Sequence, residues 1–588
     1  MLADAGGIFP PERIIVKSCR EDAIQGSASL TFWRGFVRLG RPFMKQHGRH
    51  IVGWLSEWRR FSVLLALLFA IRGVLVICVL PPFEGWDEYQ HLAYIVHLIE
   101  EESPPDLAAG SVVPRSMYPW LAKYPHCRFG TDQLRPLGAR SYDEYWQSPP
   151  SAAEVTNSGQ FQNSPDIPIY QAQHPSLYYR MMVPVVRRFL PNGDPLQLIG
   201  LLRLINIVFG SLSVYWVARL IGRLIKPSAM RYLLGLLIAL QPLYLLNCAR
   251  VASDALAVLL GTVAIGLVLL PMSRYRAASG AAAGAATGLA ILTKTVNLAL
   301  APFGIMAGFL FAWRDRVRRG TLVAAPSAFL VGLLLTCGWY FYGNLKTFGL
   351  LTPMQEAVQN RAAGRGLSDV AQCVKEMDLV DELGRRFYRR SLWTGGWSYL
   401  PPPIAATRIQ EYSYYFASLG FLFALAPTVR RSRSISALAW LMPTVALLCA
   451  LSAAGLSYHM IHTKMLLGSV ATNIWYAAVI FPWLLVLYAQ GLAYWPIKWV
   501  GMASGLALAA TFLGAELYGT LVSMVSTYSG GATGIEAWKR IGELHPGWLS
   551  PYVAGAALGG VAVLVMTAVG IIASAHSRPR PVEGTLTS

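Results

Sequence analysis

Asp87, Glu88 and His91 lie within five residues, in the run Pro81-Pro82-Phe83-Glu84-Gly85-Trp86-Asp87-Glu88-Tyr89-Gln90-His91. A carboxylate at a helix start is held ionised by the free N–H groups and dipole there, and an ionised carboxylate can take a proton from an incoming hydroxyl. Asp87 and His91 stand one helical turn apart, while Glu88 points about 100° round the helix from Asp87. Asp87 and Glu88 are therefore the catalytic candidates, with His91 placed to orient base or acceptor. A capping box of Asp87 with Gln90 explains the same residues without chemistry. Gly85-Trp86 before the pair and His91 after it exceed what a cap requires, and the two roles are compatible.

A second constellation is Tyr170-Gln171-Ala172-Gln173-His174-Pro175-Ser176-Leu177-Tyr178-Tyr179, which offers His174 and Tyr178 as binding residues. An aromatic-belt turn at the membrane surface is the competing account. Cations form a third group: Lys294, Arg250, His459, His462 and Lys464, at depths where a lipid-borne phosphate would need them. Snorkelling explains Lys294 taken alone. Arg385, Arg386, Arg389 and Arg390 precede Trp393-Thr394-Gly395-Gly396-Trp397-Ser398-Tyr399, where Trp397 could stack on a sugar. Asp254, at the start of an apolar stretch, reads as a helix cap. There is no P-loop, nucleophile elbow, HExxH or outer-loop DxD. No cofactor is indicated, and the missing DxD weakens a metal-dependent mechanism.

The elements that must position these groups are transmembrane helices. Of 588 residues, 54% are hydrophobic and only 14% charged, against about 25% charged in soluble domains. The net charge of +19 falls in short clusters between apolar runs (Arg59-Arg60; Arg223, Lys226 and Arg231; Arg274 and Arg276; Arg314–Arg319; Arg430–Arg433). That is positive-inside patterning, not a nucleic-acid surface. Spacing predicts about twelve spans: Phe61–Leu80, Leu196–Ile225, Tyr232–Asn247, Ala255–Met272, Ala277–Leu292, Val296–Trp313, Leu322–Tyr342, Tyr415–Val429, Ile435–Ala454, Thr472–Tyr494, Val500–Thr520 and Tyr552–Ala573.

The expected organisation is a cytoplasmic arm 1–58, with Trp33–Met44 as an amphipathic helix, and a transmembrane core 59–495. A C-terminal hairpin 496–575 with an outer loop and a cytoplasmic tail 576–588 follow. Outer loops 81–195 and 343–411 in the core are long, and 457–471 in the core and 521–550 in the hairpin are shorter. Two helices in the first loop, Asp87–Glu102 and Tyr178–Phe189, should lie on the bilayer. Asp87 and Glu88 then sit at the membrane mouth. Arg72, inside the first span, needs a buried partner or must snorkel. The seven cysteines show no ligand spacing; Cys127 and Cys373 could bridge if the two long loops touch.

Together these landmarks resemble the GT-C superfamily of membrane glycosyltransferases, in the branch of protein O-mannosyltransferases, aminoarabinose transferases and bacterial relatives. The matching stretches are Gly85-Trp86-Asp87-Glu88 with His91, Gln173-His174-Pro175-Ser176-Leu177-Tyr178-Tyr179, and Gly288-Leu289-Ala290-Ile291-Leu292-Thr293-Lys294. Cys248–Leu256 and Gly338–Asn344 are also similar to bacterial members, and the resemblance spans roughly 61–491. Two positions depart from it. A late Arg-Tyr before Pro is here Asn473-Ile474-Trp475-Tyr476 before Phe481-Pro482, and His-Pro-Pro is His174-Pro175-Ser176. His459, His462 or Lys464 would then replace the missing arginine.

The resemblance implies transfer of a sugar from a polyprenyl-phosphate carrier to a glycan, lipid or protein acceptor on the outer face of a bacterial inner membrane. Asp87 would be general base and Lys294 the support for the leaving phosphate, with inversion at the anomeric carbon. Two alternatives stand beside it. One is a transporter or flippase of lipid-linked sugars, against which the unlike halves and the polar residues at outer ends weigh. The other is a polysaccharide ligase or polymerase, whose principal outer loop would lie in the second half.

Overall fold

The computed structural model describes residues 58–151, 161–190, 193–226, 228–270, 277–314, 323–384, 390–424 and 438–577. The arm with its expected Trp33–Met44 helix, the clusters at 274–276, 315–319 and 430–433, and Arg385, Arg386 and Arg389 fall outside them, as does most of the tail. Within the described residues the chain is an all-α polytopic membrane protein.

Among the described residues, eight helices are long and apolar enough to cross a bilayer: Trp58–Ile77, Pro195–Leu224, Thr295–Trp313, Ala324–Phe348, Leu441–Leu467, Trp475–Tyr494, Lys498–Tyr528 and Pro551–Ser577. A ninth is the pair Ala229–Leu240 and Pro242–Cys248, bent by 46°. The other three expected spans also coincide with helices. Asp254–Leu269 and Ala277–Thr293 are too short to cross unaided. The third, Ile404–Ala424, carries Arg408 and Glu411 in its first half.

Several boundaries move. The helix Leu438–Leu467 runs more than three turns past the expected end at Ala454, so His459, His462 and Lys464 sit on a helix rather than in an outer loop. The helix from Lys498 continues through a π-turn at Gly519–Met524 to Tyr528, shortening the last outer loop. The Glu88–Glu100 helix does not lie on a surface. Glu88 through Val96 are all buried, because the rest of the first loop and the Leu177–Arg187 helix wrap the face that amphipathic spacing assigned to water. Cys127 and Cys373 are both free thiols.

Packing explains how the short helix reaches its place. Gly280, Gly284 and Gly288 recur every four residues and lie along the Ala324–Phe348 helix, the first two meeting its backbone and the third the Thr336 side chain. A Cβ on Gly284 would lie 1.9 Å from the carbonyl oxygen of Phe329, and one on Gly332 2.2 Å from that of Ala281. Small residues at this spacing let membrane helices approach closely, and the helix so fixed delivers Lys294 at its end.

The broken span is held by Arg72. Pro242 cannot continue the helix ending at Leu240, which leaves its last carbonyls without helical donors. Arg72 donates to the carbonyls of Ala239 and Leu240 and, through Nε and Nη2, to both oxygens of Glu516. Both side chains are buried, so Arg72 has the partner its position demanded. Arg72→Leu would strand the Glu516 carboxylate at a cost of about 3–5 kcal/mol. Thermal unfolding in detergent should show that loss, and adding Glu516→Leu should restore a large part of it.

Candidate active site

The run 81–91 forms a tight turn whose backbone is constrained before any side chain is considered. Phe83 (φ 64°) and Asp87 (φ 56°) both adopt the left-handed region, uncommon for residues with a Cβ and concentrated at functional sites. Arg203, on the Pro195–Leu224 helix, pins the turn by donating to the carbonyls of Leu80 at 2.5 Å and Pro81 at 2.6 Å. It also grips Glu88 through two bonds of 2.8 and 2.5 Å. Val251 N–H donates to the same carboxylate at 2.8 Å. Glu88 is thus committed to holding the turn and faces away from Asp87.

Asp87 stands free of that clamp. It immediately precedes the Glu88–Glu100 helix, but its side chain makes no capping bond, so the capping-box account fails. The carboxylate is half-buried, with the Gln171 amide within hydrogen-bonding reach. Burial pushes its pKa up to about 6, against the downward pull of Arg250 and Lys294.

Beside it lies a cation cluster organised by Asp254. Lys294 Nζ meets both Asp254 oxygens at 2.8 and 2.7 Å. Arg250 meets Oδ2 at 2.8 Å, meets Asn247 Oδ1 at 2.7 Å, and donates to the carbonyl of Trp86. Asp254 is therefore not a helix cap: it opens its helix without a capping bond and instead neutralises two buried cations. Because Arg250 bonds the peptide that joins Trp86 to Asp87, the cluster and the candidate base are one mechanical unit.

The first loop does return to its origin, through the Tyr170–Gln173 turn. Gln171 reaches Asp87, whereas His174 faces Lys294, Asp254 and His459. Burial and Lys294 hold His174 down at about 3, so it is neutral at physiological pH. Its Nδ1 has no partner among the described residues. His91 Nδ1 bonds Tyr179 Oη at 2.8 Å, a structural contact. Tyr178 accepts from Asn206 at 3.1 Å and is fully buried. His459 bonds Thr472 and packs 4.8 Å from Tyr476, while His462 bonds Asn360 at 3.2 Å. Lys464 is half-buried near Cys373.

An aromatic wall closes the mouth. Trp86 stacks on Trp475 at 4.3 Å, Tyr399 lies 6.1 Å from Trp86, and Trp397 stacks on Phe129 at 4.6 Å. Lys294 lies 5.4 Å from the Tyr476 ring. A small cavity of about 10 Å³ adjoins the cluster, lined among others by Asp254, Asn297, Trp475 and Tyr476.

Sequence reasoning passed over Glu84, Arg203 and Glu356. Arg203 had a legible signal, a charge within an apolar span. Glu84 had only its nearness to Asp87, and Glu356 had none. Glu84 is buried and joins three segments distant in the chain. Its carboxylate accepts from Ser398 N–H at 2.7 Å, from the Ser398 hydroxyl and from Tyr142 at 3.0 Å; its carbonyl accepts from Trp397 at 2.9 Å, and Tyr528 adjoins it.

Compared with known proteins, the chain matches no family profile and no curated protein. Among solved structures it is similar to the oligosaccharyltransferase of Archaeoglobus fulgidus in its apo form. The identity is 13% over 88% of this chain and 57% of that one, with a TM-score of 0.34. The same enzyme tethered by a disulfide to an acceptor peptide containing the NVT sequon gives 14% identity, over 90% and 57%, with a TM-score of 0.33. The chain thus spans little more than half the length of these structures.

Burial pushes Glu84 up to about 7 from an ordinary value of 4.5, despite the hydrogen bonds that favour its anion. Between those values the docked carboxyl keeps a proton that a solvated one would release, so docking should weaken as pH rises through that window. The titratable groups facing it, Tyr142, Tyr528 and Cys127, stay neutral there. Hydrogen exchange at 393–400, corrected for intrinsic rates, should be faster at pH 8 than at pH 5.5. Glu84→Gln should abolish the difference.

Proposed function

We propose that the chain is a membrane glycosyltransferase of the GT-C type, moving a sugar from a polyprenyl-phosphate donor to an acceptor hydroxyl. The observation that carries this reading is one juxtaposition. A half-buried aspartate, poised near pH 6 in strained backbone, is tied through Arg250 to a buried lysine–arginine cluster at a membrane helix end.

The chemistry divides between the two halves. Asp87 accepts the acceptor's proton as its oxygen attacks the anomeric carbon. The bond from that carbon to the lipid phosphate breaks, and its electron pair leaves on the phosphate oxygen. Lys294 spends two donors on Asp254 and retains a third for the developing charge. A single displacement inverts the anomeric centre. Glu88 supports this as the residue that fixes the turn, not as a second base.

The space beside the cluster holds about 10 Å³, roughly room for one water and far below the ~300–1,000 Å³ of sites that enclose a small ligand. Binding of a lipid-linked sugar therefore requires the space between Asp254, Asn297 and Tyr476 to widen. In this reading the site opens on the extracytoplasmic face of a bacterial inner membrane, with both termini cytoplasmic. The acceptor is a glycan, lipid or protein.

One feature favours transport of lipid-linked sugars as the second reading: the span broken at Pro242 leads into a buried charged cluster, as discontinuous helices do in transporters. Reconstitution with radiolabelled polyprenyl-phosphate sugars separates the two, since only a transferase consumes the donor.

Asp87→Asn should lower turnover by about 10²–10⁴-fold with little change in KM. For the wild type, kcat/KM should rise with pH through about 6 as the base ionises, then level off. Wild-type turnover by that variant would remove Asp87 from the mechanism.

A further inference from the structure

Glu356, in the second outer loop, is a buried carboxylate with an open oxygen. It lies in the first turn of the helix Gln355–Ala362 and is 7% exposed. Its Oε1 accepts from Tyr170 Oη at 3.0 Å, while its Oε2 has no hydrogen-bond partner among the described residues. No cation pairs with it there. A buried carboxylate oxygen left without a donor is costly, so the open atom calls for a ligand that brings one.

The same short turn serves both carboxylates. Tyr170 reaches Glu356, Gln171 reaches Asp87, and Gln173 accepts from the Gln355 N–H at 2.9 Å. Gln171 turns its amide toward the Asp87 anion, which leaves its Oε1 without a partner. That side chain is 1% exposed. The two open atoms are thus both acceptors, carried by elements bonded directly to each other. A phosphate offers no protons at neutral pH and is repelled by Glu356; a sugar ring offers several hydroxyls.

We infer that Glu356 and Gln171 form a hydroxyl-reading subsite that takes the donor's glycosyl ring, while its phosphate lies on the Lys294 side. The inference rests on the glycosyl-transfer reading and adds a specificity residue to it. Gln171 sets the ring's distance from the base, because it touches both. Glu356 fixes which hydroxyls are accepted.

The test is equilibrium binding to the full chain in nanodiscs, using two probes: a polyprenyl phosphate, and the same lipid phosphate bearing one hexose. Glu356→Ala should weaken the hexosyl probe by about 10- to 100-fold, as expected for a lost charged hydrogen bond. Affinity for the bare lipid phosphate should change less than threefold. Glu356→Gln, which keeps a bond to Tyr170, should fall between and confirm that folding is intact. Equal losses for both probes, or no loss for the hexosyl one, would overturn the subsite while leaving the transfer reading standing. A wild type that binds neither probe would sink both.

Discussion

A charge inside a low-dielectric protein needs a partner, and that requirement arranges this molecule. Of its buried cations, Arg72 takes Glu516, Arg203 takes Glu88, and Arg250 and Lys294 share Asp254. Arg231 uses the carbonyls of Gly222 and Ile225 and the face of Trp58. Each pair also does structural work: the first holds a broken span, the second a strained turn, the third a cation cluster. Once those are assigned, Glu84, Asp87 and Glu356 are carboxylates around the site that no ion pair among the described residues engages. Glu84 is saturated by hydroxyl and amide donors. The other two bond the same Tyr170–Gln173 turn.

What could be read from residues alone followed from patterns that lipid enforces. Apolar runs gave a helix at each of the twelve expected places, because backbone in a bilayer must bond within its own segment. The ends were less legible. The helix through His459 overran its expected limit because His459 and His462 find polar partners in Thr472 and Asn360 and need not leave the helix for water. Burial of the Glu88–Glu100 helix was hidden for the opposite reason. Its spacing is amphipathic, but the polar face is covered by other parts of the loop, a tertiary fact with no local signature.

The site was legible in the same uneven way. Asp87, Arg250 and Lys294 stood out as charges at the ends of apolar stretches, where a charge has few reasons to be. Their wiring was not, since a cap and an ion-pair hub share one residue type at one place; Asp254 is the case in point. Glu88 misled because adjacency in sequence suggests shared work, whereas Asp87 lies before the helix in left-handed backbone and Glu88 opens the helix, so the two side chains diverge. That divergence sends Glu88 to Arg203 and leaves Asp87 to the mouth. Glu356 could not have been found, since its partners come from a loop far away in the chain.

Arg250 is where structure and chemistry become inseparable. Its guanidinium bonds the carbonyl of Trp86, the amide oxygen of Asn247 and the carboxylate of Asp254. Displacing it would shift the peptide that carries the base and, in the same motion, release half of the charge balancing Asp254. Lys294 would then face that carboxylate alone and hold it more tightly, with less of its charge free for an incoming phosphate. A base and an anion site built on separate supports could drift apart in evolution or in thermal motion. Here one rigid, five-donor side chain fixes their separation, which a displacement at a single carbon atom requires to within a fraction of an ångström.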